Sequence, residues 1–74
     1  MSAAQRHNEL AREFIMKVAG NTGSHAEMMV VIESVLFGSM LIMQRQYGFT
    51  PAITVEFIEA ALLQATERFA AREV

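Results

Sequence analysis

The sequence predicts an all-α fold, a three-helix chain in which two amphipathic helices flank a long apolar central helix. Three observations carry this prediction. Apolar residues recur with the period of an α-helix, and no stretch alternates with the period of a strand. Apart from Gly38, the glycines and the single proline fall at two places and cut the chain into three pieces. Each piece opens on a residue that caps helices well.

The first helix is expected over about 3–19. Ser2 and Gln5 have the spacing of a capping box, in which each side chain satisfies a free amide of the first turn. Leu10, Phe14 and Val18 recur every four residues with Ala11 beside them, while Glu9, Arg12, Glu13 and Lys17 occupy the other face. Glu13 and Lys17 are spaced as a favourable ion pair. "GNTG" ends the helix, with Gly20 suited to the left-handed position after it.

The central helix is expected over about 24–47. Ser24 as cap and Glu27 three residues later form a second capping box, and Gly48 is placed to stop the helix. Its run "SHAEMMVVIESVLFGSMLIM" is apolar on almost every face. Only Glu27, Ser34, Gly38 and Arg45 line up as a narrow polar or small stripe at 3.6 residues per turn. The third helix is expected over about 51–72, with Thr50 as cap and Pro51 at the first position, where a missing N–H costs nothing. Val55, Ile58, Leu62, Ala65 and Phe69 form its apolar stripe, opposite Glu56, Glu59, Gln64 and Glu67. Arg68 and Arg72 sit where the helix dipole favours cations.

A single domain of 74 residues (1–74) buries only about 60% of its unfolded surface, so its stability is marginal without help. There is no cysteine, which removes disulfides and thiolate metal sites and makes a reducing cytoplasm the expected location. The remaining helper is a partner chain. With 53% apolar and 19% charged residues, the sequence carries more apolar surface than one small interior holds. A helix apolar all round is a buried helix, and two flanking helices cover about two sides of it. The expected assembly is an intertwined or packed homodimeric helical bundle built around paired central helices. Its expected interface is Met28, Ile32, Glu33, Ser34, Val35, Leu36, Gly38, Met40, Ile42 and Met43. Ser34 and Gly38 are expected to allow close backbone approach; the alternative is that the narrow stripe they share with Glu27 and Arg45 is the solvent side of the helix. Glu33, alone in the apolar run, is expected at the rim or paired, fixing the register of the association, because an unpaired buried charge is costly. Met16, Phe57 and Leu63 fall off the main stripes and suggest a further partner surface.

The search for chemistry yields no catalytic set, so the chain is not expected to be an enzyme. It holds no cysteine nucleophile, P-loop or H-E-x-x-H. Glu56 and Glu59 lack the accompanying histidine of helical di-iron sites, and His7 and His25 lie on different segments, so no metal or cofactor is expected. A net charge of −2, and a third helix opening with the apolar and acidic "TPAITVEFIEA", argue against nucleic acid. Glu33 interrupts the one long apolar run, which argues against a single membrane span. Helix-mediated binding by a small cytoplasmic homodimer is the expected function, as an interaction or regulatory protein. The alternative is a binding module whose dimer core, lined by methionine and phenylalanine, holds a small apolar ligand.

Overall fold

The computed structural model describes residues 2–72. They form three α-helices, α1 (Ala3–Asn21), α2 (His25–Tyr47) and α3 (Pro51–Arg72), joined by two short turns. No strand occurs among the described residues.

Local chemistry fixes the helix ends. At the start of α1, the Gln5 amide donates to Ser2 Oγ at 3.2 Å, and the Ser2 amide donates to Gln5 Oε1 at 2.8 Å, completing the box. At the start of α2, the Glu27 amide donates to Ser24 Oγ at 3.2 Å. The reciprocal bond differs from the expected one, since the Glu27 carboxylate accepts from the amide of Gly23 rather than from that of Ser24. At the start of α3, the Ile53 amide donates to Thr50 Oγ1 at 3.3 Å.

The two C-terminal ends use different devices. Gly48 adopts φ +68°, a left-handed conformation in which a side chain is strained, as expected for the residue after α2. Its amide donates to Gln44 O, and the Phe49 amide to Met43 O, so two terminal carbonyls are satisfied. Gly20, expected to play the same part after α1, is helical instead. The helix continues to Asn21 and leaves through an extended Thr22. Here side chains replace the left-handed turn. Asn21 Nδ2 donates to Lys17 O at 2.7 Å and Thr22 Oγ1 to Val18 O at 2.8 Å, which satisfies carbonyls that α1 leaves free.

The chain divides into two compact units, one up to Ser34 and one from Val35, with α2 contributing to both. In the first, Val18, Thr22 and Val31 are half-buried, and none of the described residues is fully buried. In the second, Met43 and Thr54 are buried, at 9% and 6% exposure, and Met40, Leu41, Phe49 and Ile58 are half-buried. Phe49, in the turn, packs between two other aromatic rings, with centroids 6.1 Å from Tyr47 and 5.6 Å from Phe57. Thr54 satisfies its buried hydroxyl by donating to Thr50 O at 2.9 Å.

The expected apolar stripes are present but mostly uncovered. Leu62 is 66% exposed and Phe69 63%, and Leu10, Phe14 and Val55 are exposed too; only Val18 and Ile58 of the two stripes are half-buried. Periodicity identifies the face that needs cover. A pair of helices offers one contact line, which is too little to enclose such a face.

Candidate interaction surface

No group capable of holding a metal ion occurs among the described residues. The notable surface is α2 itself. It carries Met28, Met29, Val30, Ile32, Val35, Leu36, Phe37 and Ile42, all exposed, with Val30 and Phe37 at 61%. It is 23 residues long, and an 18-residue stretch within it has a mean hydropathy of 1.8, enough by length and composition alone to cross a membrane. In a water-soluble chain, such a helix requires cover on all sides.

The residues expected at a dimer interface fall into two groups. Met43 is buried inside the second unit and Met40 is half-buried there, so both already serve packing within the chain. Met28, Ile32, Glu33, Ser34, Val35, Leu36 and Ile42 are exposed, and Gly38 is half-buried. A Cβ added at Gly38 meets nothing within 4 Å, so no neighbour in its own chain requires a glycine there. Of the further partner surface, Met16 lies in the first unit, and Phe57 and Leu63 lie in the second; all three are exposed. Phe57 and Leu63 stand about 120° apart around α3 and share no face. The Phe57 ring is also committed to Phe49.

Each unit has shallow apolar grooves. In the first, Phe14, Lys17 and Val18 of α1 and Val31 of α2 line one. In the second, a groove of about 250 Å³ runs between Phe37, Met40 and Leu41 of α2 and Pro51, Thr54 and Val55 of α3. Another is lined by Ile42, Met43, Tyr47, Phe49 and Phe57. Sequence reasoning passed over Tyr47, Phe49 and Thr54. The available signal was the aromatic pair spanning Gly48, with Phe57 two turns into the next helix. Thr54, one turn beyond the cap Thr50, gave no signal from periodicity.

No known family matches this chain, and no curated protein or solved structure is similar to it.

Proposed function

We propose that the chain acts as a homodimer in the cytoplasm and serves as an interaction or regulatory protein through helix-mediated binding, without catalysis. The observation that carries this reading is the set of exposed apolar side chains along α2, from Met28 to Ile42. Ordering a residue costs roughly 1–2 kcal/mol of backbone entropy. Helices recover that mainly through packing of an apolar face, and the single chain buries one apolar side chain, Met43, among its described residues.

Areas support the same reading. A compact monomer of 8.2 kDa exposes about 4,500 Å², and this chain exposes 6656 Å². The excess is about 2,100 Å² per chain, or about 4,200 Å² for a pair, which falls in the range of the total area buried in obligate homodimer interfaces. Both units contribute to it, through Leu10 and Ile15 in the first and Leu62 and Phe69 in the second.

Two other readings each have an observation in their favour. The grooves lined by Met40, Met43 and Phe49 suit a small apolar ligand, once a second chain closes them. The length and hydropathy of α2 suit a membrane span. A bilayer around α2 alone, however, leaves Glu33 in hydrocarbon and gives the apolar stripes of α1 and α3 no cover. A second copy offers all three helices a place to pack.

The interaction function is tested by affinity capture with the wild-type chain and with Leu63→Asp, both verified as dimers. A protein captured by the first and lost from the second supports the reading. Identical capture by both, or none by either, contradicts it. Vesicle flotation separates the membrane reading, because a soluble dimer stays at the bottom of the gradient.

A further inference from the structure

We infer that the two copies pair through α2 in an antiparallel arrangement whose two-fold axis passes midway between Ser34 and Gly38, with Glu27 of each chain facing Arg45 of the other. The inference rests on the homodimer reading and adds to it the orientation and register of the seam.

It comes from the order of residues along one uninterrupted helix. At about 100° per residue, Glu27, Ser34, Gly38 and Arg45 fall within about 40° of one another. Their spacing is symmetric about position 36. Glu27 lies nine residues before it and Arg45 nine after, while Ser34 lies two before it and Gly38 two after. In a two-fold interface, residue i meets residue j and j meets i. An antiparallel pair centred at 36 therefore sets carboxylate against guanidinium at both ends and small residue against small residue in the middle. A parallel pair along the same stripe sets Glu27 against Glu27 and Arg45 against Arg45. Charges flanking a helix seam choose orientation in this way.

The structure leaves this stripe available. Glu27 and Arg45 are exposed, and the Glu27 oxygen that accepts from Gly23 is Oε2, which leaves Oε1 free to face a cation. A glycine in mid-helix is destabilising relative to alanine, and nothing within the chain occupies the space beside Gly38. A helix packed closely on Ser34 and Gly38 gives that glycine a purpose. Exposed Val30 and Ile42 flank the stripe and supply apolar contact on its two sides. The excess of about 2,100 Å² per chain is the surface that a second copy covers.

The test is a distance. The chain has no cysteine, so Arg45→Cys provides a single attachment point for a spin label. In the antiparallel pair the two labels are separated by about 18 residues of helix, or about 27 Å along the axis. Dipolar spectroscopy on the labelled full-length dimer is expected to give a separation of about 25–40 Å. A separation below about 15 Å shows a parallel pair, and one beyond about 45 Å shows that α2 is not the seam; either overturns the inference. Mixing Arg45→Cys chains with Glu27→Cys chains under oxidation is expected to give crosslinked heterodimers, with neither variant crosslinking alone. Sedimentation of the labelled sample and of wild type keeps the two claims apart. A monomer overturns the homodimer reading itself, whereas a dimer with the wrong distance overturns only the seam.

Discussion

The ring of Phe49 stands edge-on to that of Phe57, with centroids 5.6 Å apart and planes at 63°. One residue lies in the turn after α2 and the other in the second turn of α3, so this contact fastens the second unit. Such aromatic pairs contribute about 0.5–1.5 kcal/mol beyond the apolar area they bury. Phe49 is half-buried, so its truncation should cost less than the ~3–5 kcal/mol of a fully enclosed phenylalanine. Phe49→Ala is expected to lower stability by about 2 kcal/mol in urea unfolding, and Phe57→Leu by about 1 kcal/mol. Equal stability of Phe49→Ala and wild type removes the turn from the account of how the second unit is held.

Two glycines should respond oppositely to the same substitution. Gly48 has φ +68°, so Gly48→Ala is expected to cost about 1 kcal/mol despite the open space around it. Gly20 is helical, and an added Cβ there meets nothing within 4 Å, so Gly20→Ala is expected to stabilise by about 0.5 kcal/mol. Thermal melts of the two variants check both signs. Destabilisation by Gly20→Ala shows that α1 ends at Gly20 and that Asn21 and Thr22 are not its caps.

Thr50 and Thr54 share one carbonyl. Thr50 O accepts from both the amide and the hydroxyl of Thr54, each at 2.9 Å. Thr54→Val removes the hydroxyl but leaves that carbonyl its amide donor, so the loss is expected to stay within about 1 kcal/mol. Thr50→Ala removes the cap on the Ile53 amide and is expected to cost about 1 kcal/mol, with Thr50→Ser nearly neutral. Denaturant midpoints of the three variants rank them.

Glu33 is exposed in the middle of the most apolar run. It stands about 120° around the helix from the Glu27–Arg45 stripe, outside the contact line of the proposed seam. Glu33→Leu is expected to keep or raise the melting temperature and to broaden the distribution of oligomers in sedimentation velocity, because an apolar rim accepts more than one partner arrangement. A single unchanged species shows that the carboxylate has no part in specifying association.

The sequence was most legible where the determining chemistry is local. Ser2 with Gln5, Thr50 with Pro51, and Gly48 each act within one turn, and they locate helix ends to within a residue or two. The end of α1 was less legible because two mechanisms compete there. A glycine suggests a left-handed cap, while Asn21 and Thr22 cap by side chain one and two residues later, and the second mechanism prevails. Periodicity placed Leu10, Phe14, Leu62 and Phe69 on faces that need cover, but it carries no information on whether the cover lies in the same chain. The Phe49 contacts were not legible because they join a turn to a helix, where no repeating spacing operates. The mirror order of Glu27, Ser34, Gly38 and Arg45 was present in the sequence throughout. It gains meaning once α2 is an unbroken helix and Gly38 has no neighbour of its own.

The most direct test of the account is sedimentation equilibrium of the full-length wild-type chain at micromolar concentration, with helicity measured by circular dichroism on the same sample. A helical species of twice the 8.2 kDa chain mass is expected, losing helicity as dilution dissociates it. A stable, fully helical species of 8.2 kDa contradicts the homodimer reading.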